Sequence, residues 1–247
     1  MSERRAHTAR RSRRARSQHF LRRAYAAELV RDSAVGPDDL VVDLGAGRGR
    51  LTAELARMVR RVVAVELDPQ LAAGLRGRWA NVEVVEADAR RVELPGEPFR
   101  VVANLPFAGT NEILRHLLDD PRVPLVRADL VVQWGVAVKR GLPWPSTVNG
   151  VVWGAWYTVR PARRLPPSAF EPPPSVDAGV LVFERRARPL VPEALAGDYR
   201  SFVSHGFRRG SGRELDAHQW AARFASRAAS GARAARPASA SRRPRRR

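Results

Sequence analysis

The chain has 247 residues, of which 44% are hydrophobic, so it is long enough for one substantial core and a small appended domain. It contains no cysteine, which excludes a disulfide framework and thiolate chemistry. The formal net charge is +19, which favours an acidic partner such as a nucleic acid.

The positive charge is concentrated at the two ends of the chain. Residues 1–23 carry nine Arg and one Glu, and residues 207–247 carry twelve Arg and two acidic residues, so the remaining body is nearly neutral. Arg-rich ends suit phosphate contact and stacking on bases. A general bias towards Arg in the composition is the alternative, but it does not explain the balanced body, so we expect nucleic-acid contact.

The N-terminal segment is polar, with no apolar stretch behind its arginines, and we expect no signal peptide. No apolar run approaches the roughly 18 residues that indicate a membrane span. We therefore expect a cytoplasmic protein that makes no membrane contact.

Helical and strand-like patterns alternate through the first half of the chain. Leu21, Tyr25 and Leu29 recur at helical spacing and predict a helix to about Asp32. Further helices are predicted after residues 50, 68 and 112, the second of them starting at an Asp68-Pro69 cap and running to about Trp79. The predicted strands are Leu40–Leu44, Val62–Glu66, Val82–Val85, Arg100–Leu105 and Leu130–Trp134.

This alternation predicts an α/β fold with a doubly wound parallel sheet. Ligands bind such sheets outside the carboxyl ends of the strands. Four polar features fall at those ends and are expected to converge on one edge of the sheet: the Gly45 loop, Glu66, Asp88 and Asn104.

The second half of the chain predicts a different arrangement. Val151–Val159 and Gly179–Phe183 read as strands of an antiparallel hairpin that closes the sheet. We expect a basic, disordered arm over residues 1–17, the sheet domain over 18–186, and a small helical domain over 187–209. Residues 210–247 form a basic low-complexity tail, expected to be mostly disordered, in which Trp220 and Phe224 indicate a short amphipathic helix.

A glycine-rich turn joins the first predicted strand to its helix, in Asp43-Leu44-Gly45-Ala46-Gly47-Arg48-Gly49. Such a turn lets the backbone approach a ligand closely. Glu66, at the end of the next strand, can accept hydrogen bonds from ribose hydroxyls, a role that a nicotinamide dinucleotide also requires. The spacing G-x-G-x-G, with an acid two residues before the first glycine, favours S-adenosyl-L-methionine. Asp88 can accept from the adenine amino group of that cofactor or cap a helix.

The segment Asn104-Leu105-Pro106-Phe107 ends the fourth predicted strand. An exocyclic amine is a weak nucleophile because its lone pair is delocalised into the ring. The Asn104 side-chain oxygen and the Leu105 carbonyl can hold the amine hydrogens and turn the lone pair towards a methyl donor. Stacking on Phe107, worth about 1–3 kcal/mol, is comparable to the cost of flipping a base out of its stack. An ordinary strand-to-turn sequence is the alternative.

The ordered set of motifs resembles the ribosomal RNA adenine N6-methyltransferases, and within them the erythromycin-resistance type. The resemblance covers about residues 16–208 and rests on six segments: Gln18-His19-Phe20-Leu21, Asp43–Gly49, Val65-Glu66-Leu67-Asp68, Asp88-Ala89-Arg90, Asn104–Phe107 and Phe170–Asp177. It implies a Rossmann-like methyltransferase sheet with a small C-terminal helical domain. The implied cofactor-binding residues are His19, Leu21, Gly45, Gly47, Glu66, Asp88, Ala89 and Asn104. His19 stands where that family usually has Asn.

The resemblance also implies a substrate, a single adenine in large-subunit (23S) ribosomal RNA. Methylation of its N6, once or twice, would leave S-adenosyl-L-homocysteine and block macrolide, lincosamide and streptogramin B antibiotics. The residues implied for catalysis are Asn104, Leu105 and Phe107. RNA contact is expected from Arg13, Arg14, Arg16 and Phe170, although Phe170 can equally be a core residue. We expect a monomer that uses no metal.

Two other functions are compatible with parts of this sequence. A sister group that shares Asn-Leu-Pro-aromatic modifies two adjacent adenines in the small subunit. The short domain over residues 187–209, the segment around Trp134 and the segment Ser168-Ala169-Phe170 resemble the erythromycin-resistance type instead. A ribosome-assembly protein that only binds RNA is the second alternative, and the intact Asn104–Phe107 segment argues against it.

Overall fold

A computed structural model describes residues 19–141 and 147–234, with side chains described to residue 227. Its strands are β1 (Phe20–Leu21), β2 (Leu40–Leu44), β3 (Arg61–Glu66), β4 (Val82–Glu86), β5 (Phe99–Asn104), β6 (Leu125–Gln133), β7 (Tyr157–Leu165), β8 (Phe170–Glu171) and β9 (Ala178–Arg185). Its helices are α1 (Arg23–Asp32), α2 (Arg50–Leu55), α3 (Pro69–Leu75), α4 (Thr110–Leu118), α5 (Trp134–Gly141), α6 (Val148–Gly154), α7 (Ala196–Arg208) and α8 (Ala217–Ala234).

Seven strands form one sheet in the order β4-β3-β2-β5-β6-β9-β7. The strands from β4 to β6 pair in parallel, and β9 pairs antiparallel with both β6 and β7. The chain order reverses between β2 and β5, which is where open α/β sheets bind ligands. The short strands β1 and β8 pair separately and antiparallel. The predicted mostly parallel α/β fold, with a helical C-terminal region, is confirmed.

Alternating residues along each strand pack against opposite faces of the sheet, as the period of two in a strand requires. In β5, Val101 and Ala103 belong to the apolar cluster that packs under α4, α6, α7 and α8. Val102 belongs to the opposite cluster, which α1 and α2 cover. Because helices cover both faces, the carboxyl edge of the sheet is left open to a ligand.

One predicted strand is wrong over much of its length. The region Val151–Val159 begins as a buried helix, because α6 covers Val148–Gly154 and β7 starts only at Tyr157. The Thr147 hydroxyl oxygen accepts from the Gly150 amide at 3.2 Å and caps the helix. Five of the seven residues of α6 are buried. The sequence therefore shows no alternation of apolar and polar residues by which a short helix could be distinguished from a strand.

The helix predicted around Trp220 and Phe224 is present, but it packs on the domain, so this part of the chain differs from the expected disordered tail. Helix α8 occupies Ala217–Ala234, and Trp220 within it is 2% exposed. The Trp220 indole stacks on Phe207 at 5.7 Å between ring centroids and donates its Nε1–H to the Gly212 carbonyl at 2.9 Å. Residues 211–227 therefore continue the packed helical region. The predicted basic arm over residues 1–17 and the end of the tail over residues 235–247 lie outside the described residues.

Substitution Trp220→Ala should lower the free energy of unfolding by about 3 kcal/mol or more, since it empties a filled site between α7 and α8. Denaturant unfolding would measure this change. The matched control is Arg223→Ala on the exposed side of the same helix, expected to change stability by less than about 0.5 kcal/mol. Equal stabilities for the two variants would show that α8 is not part of the packed domain.

Candidate functional site

A cavity of about 630 Å³ opens at the carboxyl edge of the parallel strands, within the size range of small-molecule sites. The loops after β2, β3, β4 and β5 and the segment around β1 contribute its lining. The predicted site residues among that lining are His19, Gly45, Gly47, Glu66, Asp88, Ala89, Asn104, Leu105 and Phe107. The expected convergence of four polar strand ends is therefore present.

The glycine turn is shaped by contacts that a side chain would disturb. Gly45 has φ +81°, and its amide donates to the Val65 carbonyl at 2.8 Å, which joins the end of β2 to the end of β3. Gly47 has φ +57°, and a Cβ placed there would lie 2.8 Å from Cε1 of Phe20. This turn therefore presents main-chain atoms, packed closely under the Phe20 ring, to the cavity.

The Glu66 carboxylate is fixed by two backbone amides. Gly47 donates to Oε2 at 2.7 Å and Asp68 donates to Oε1 at 2.8 Å. The residue is 6% exposed and lines the cavity. Because each carboxylate oxygen has a second acceptor direction, Glu66 can still accept hydrogen bonds from a ligand's hydroxyl groups.

Asp88 is oriented by Arg90, two residues later. The Arg90 guanidinium Nε–H donates to Asp88 Oδ1 at 2.9 Å, and the Arg90 amide donates to the same oxygen at 3.0 Å. These side-chain hydrogen bonds hold the pKa of Asp88 at about 2. The carboxylate therefore stays an acceptor at any physiological pH.

Asn104 has one end of its side-chain amide fixed and the other free. Its Nδ2 donates to the His19 carbonyl at 2.7 Å. Because a carbonyl can only accept, this contact identifies which end of the amide is nitrogen. Its Oδ1 is buried and has no hydrogen-bond partner within the described part of the chain. A buried acceptor without a partner costs about 1–3 kcal/mol, which a ligand's N–H group can recover.

The segment that carries the His19 carbonyl contributes His19 and Phe20 to the cavity lining, and we call residues 19–21 the strap. It is held by the β1–β8 pairing, in which Phe20 faces Glu171 and Leu21 faces Phe170. The His19 Nδ1 lies 2.9 Å from the Pro172 carbonyl, and the imidazole lies 5.7 Å from the Phe107 ring between centroids.

Two predicted site residues lie away from the cavity. Leu21 is 3% exposed and Phe170 is 0% exposed, and both side chains belong to the core cluster under α1 and α2. Phe170 is therefore a core residue, and the expectation that it contacts RNA is corrected, because no part of it reaches the surface. Any ligand contact by Leu21 has to use its main chain. Arg13, Arg14 and Arg16 lie outside the described residues.

Phe20 and Arg90 are among the cavity-lining residues that sequence reasoning did not assign to the site. Phe20 packs on Gly47 and has the Arg48 guanidinium 4.7 Å from its ring centroid. Arg90 also lines the cavity and orients Asp88. Phe20 lies in the motif Gln18–Leu21 and Arg90 in the motif Asp88–Arg90. Both motifs were recognised in the sequence, but no function was predicted for these two residues.

Asp43 lies beneath the glycine turn and is buried. Its Oδ2 accepts from the Thr52 hydroxyl at 2.7 Å, and its Oδ1 has no partner within the described ranges. Burial raises the pKa of Asp43 to about 7, and the nearby Glu66 carboxylate adds to the rise. The Thr52 hydrogen bond offsets only part of this effect.

Within residues 19–141 and 147–227, no three His, Cys, Asp or Glu side chains are grouped so that they could hold a metal ion. No helix in the described ranges is long and apolar enough to cross a membrane.

Comparison with known proteins gives one family and several relatives. The model of a family described as ribosomal RNA adenine dimethylase matches residues 9–218. The mycinamicin-resistance protein MyrB of Micromonospora griseorubida is 37% identical, over 77% of this chain and 60% of that protein. The ribosomal RNA small subunit methyltransferase A of Kineococcus radiotolerans is 43% identical, over 71% of this chain and 61% of that protein. The chain thus spans about three fifths of the length of these two relatives.

A solved structure supports the same grouping. The crystal structure of the 23S rRNA methyltransferase ErmE matches with a TM-score of 0.69 at 33% identity. The match covers 76% of this chain and 79% of that one.

Substitution Asp43→Asn should flatten the dependence of stability on pH between about 4 and 7. The folded-state pKa lies above the ordinary value of 3.8, so the native state holds a proton that the unfolded chain releases. Wild-type stability therefore falls as pH rises through this window, by up to about 1.4 kcal/mol per unit. Denaturant unfolding at several pH values would measure it. Asp38→Asn, which removes an exposed carboxylate, should leave the wild-type slope unchanged, and an equal slope in Asp43→Asn would contradict the assignment.

Proposed function

The chain belongs to the ribosomal RNA adenine dimethylase family, and we propose that it methylates the N6 amine of a single adenine in large-subunit (23S) ribosomal RNA. The observation that carries this proposal is the Asn104 amide. Its nitrogen donates to the His19 carbonyl, while its oxygen is buried without a hydrogen-bond partner among the described residues, in a side chain that lines a cavity of about 630 Å³. An exocyclic amine supplies the donor that this oxygen lacks.

The donor and acceptor set around the cavity fits S-adenosyl-L-methionine, which supplies the methyl group when bound and leaves as S-adenosyl-L-homocysteine. Glu66 is oriented to accept from ribose hydroxyls, and Asp88 to accept from the adenine amino group of the cofactor. Gly45, Gly47 and Ala89 line the cavity with little or no side chain, and Gly45 and Gly47 have positive φ, which a larger residue would rarely adopt. His19 contributes through the main chain of the strap, whereas Leu21 lies away from the cavity and its carbonyl accepts from Arg50.

On the substrate side, three residues act by position. Asn104 Oδ1 accepts one amine hydrogen and the Leu105 carbonyl accepts the other, which directs the nitrogen lone pair towards the methyl donor. Phe107, half-buried at the cavity, stacks on the extruded adenine. None of these groups needs to take up a proton, so catalysis rests mainly on geometry.

The large-subunit substrate is supported by the relatives with resistance or 23S names, MyrB and ErmE. Methylation of that RNA would confer resistance to macrolide, lincosamide and streptogramin B antibiotics. The 43% identity to a small-subunit methyltransferase favours a second candidate, adenines of the small subunit. Primer extension and mass spectrometry on ribosomal RNA from cells that express the protein would identify the methylated base and decide between them.

Substitution Asn104→Ala should reduce methyl transfer by at least about 100-fold, because the amine loses the acceptor that orients it. Radiolabelled methyl transfer to ribosomal RNA would measure turnover, and calorimetry would show that cofactor binding remains. Asn111→Ala, on the first turn of α4, is the control and should retain activity. Wild-type turnover in Asn104→Ala would refute the assignment, and an RNA-binding wild type that never methylates would indicate the assembly function instead.

The arginines outside the described residues are proposed to bind the RNA backbone, among them Arg13, Arg14 and Arg16. We further propose that the protein acts as a cytoplasmic monomer. Residues 235–247 hold six arginines and no acidic residue. Each phosphate contact releases condensed counterions, so these arginines should make RNA affinity strongly dependent on salt.

Removal of residues 235–247 should therefore flatten the plot of log affinity against log salt concentration. Filter binding with ribosomal RNA from 50 to 400 mM salt would measure the slope. The deletion begins after the last residue of α8, so the helix and the buried Trp220 within it are retained. A full-length variant with these six arginines changed to Gln is the control for chain length and should show the same reduced slope. An unchanged slope would mean that the tail does not contact RNA.

A further inference from the structure

One nitrogen of the His19 imidazole is engaged within the protein. Its Nδ1 lies 2.9 Å from the Pro172 carbonyl oxygen. Because that oxygen can only accept, Nδ1 carries the proton and donates it to Pro172. In the neutral ring, Nε2 is then an acceptor and the only nitrogen left for a ligand.

The same ring supports the residue that stacks on the target base. The His19 and Phe107 rings lie 5.7 Å apart between centroids, tilted by 39°, which is within the range of favourable aromatic pairs. Both residues line the cavity. Phe107 also packs against the core cluster under α1 and α2, so the His19 ring is a second packing partner of Phe107, at the cavity.

The main chain of His19 sets the second substrate contact. Its carbonyl accepts from Asn104 Nδ2 at 2.7 Å, across 85 positions of sequence. This hydrogen bond decides that Oδ1, rather than Nδ2, is presented to the amine. His19 therefore contacts two of the three residues proposed to act on the target adenine, Asn104 and Phe107.

The strap that carries His19 is itself anchored on both sides. The Arg50 guanidinium donates to the Leu21 carbonyl at 3.1 Å and to the Glu171 carboxylate at 2.8 Å. The Arg22 amide donates to the Ala169 carbonyl at 2.8 Å. These bonds fix the backbone after His19, and the bond from Nδ1 to Pro172 fixes its ring.

We propose that His19 is a positioning residue for the target adenine, which orients Asn104 through its carbonyl and Phe107 through its ring, and that its side chain is not a ligand of the cofactor. This inference rests on the proposed function of the cavity. It replaces the expectation that the His19 side chain binds the cofactor with a role on the substrate side of the same site.

Two substitutions separate the hydrogen bond that the His19 side chain makes to Pro172 from its ring contact with Phe107. In His19→Asn, the amide nitrogen can occupy the place of Nδ1 and keep the bond to Pro172, but no ring remains to support Phe107. In His19→Phe, the ring remains and the bond to Pro172 is lost. At saturating cofactor, each substitution should lower kcat by about tenfold, while the cofactor Kd changes by less than about threefold.

A spectroscopic readout isolates the ring contact. An RNA hairpin that carries 2-aminopurine at the methylated position reports stacking by fluorescence quenching on binding. His19→Asn should lose most of this quenching, and His19→Phe should retain it. The same variants would be compared for cofactor Kd by calorimetry, with S-adenosyl-L-homocysteine as the probe.

The inference would be overturned if His19→Asn changed the cofactor Kd by tenfold or more and left kcat at saturating cofactor and the quenching as in wild type. Such a result would make the side chain a cofactor ligand. A wild-type protein that methylates no ribosomal RNA would instead overturn the proposed function, and this role of His19 with it. The two failures are distinguishable because the first requires an active wild type.

Discussion

The hydrogen bond from Asn104 Nδ2 to the His19 carbonyl is the constraint on which the site depends. It joins the carboxyl end of β5, a central strand, to the strap, which comes from the N-terminal part of the chain. A free amide could present either its oxygen or its nitrogen to a substrate. Because Nδ2 is bound to His19, only Oδ1 remains for a substrate. The acceptor is thus set before any ligand arrives, and binding need not select among amide orientations.

The acidic side chains around the cavity are also held in place by hydrogen bonds within the protein. Glu66 is held by amides that belong to the glycine turn and to the cap of α3, and Asp88 is held by Arg90. Each carboxylate is tied to the backbone that shapes the cavity, so the loops and the acceptors cannot move independently. Asp43 lies under the turn, where burial favours its neutral form. Protonation of Asp43 therefore avoids placing a second buried negative charge close to the Glu66 carboxylate.

The sequence predicted the sheet, its parallel strands and the polar residues at their ends, because these depend on local period and on strand termini. It did not predict α6, since Val151, Val152 and Trp153 are buried on every side and carry no amphipathic signal. It assigned Phe170 to RNA contact or to the core with equal weight, and the burial of Phe170 in the β1–β8 pair decides for the core. The fixed orientation of Asn104 could not be read from the chain either, because its partner lies 85 positions away.

The contact of Trp220 with two glycines has a consequence for recognising this architecture elsewhere. A Cβ at Gly206 would lie 2.4 Å from the indole, and one at Gly212 would lie 2.5 Å from it. The indole therefore fits in this position only because residues 206 and 212 are both glycine. The spacing G-x5-G-x7-W, read from Gly206, Gly212 and Trp220, is a compact sequence signature of a docked C-terminal helix. Among chains with Arg-rich ends, it would separate those whose terminal helix is part of the domain from those in which the basic segment begins directly after the sheet.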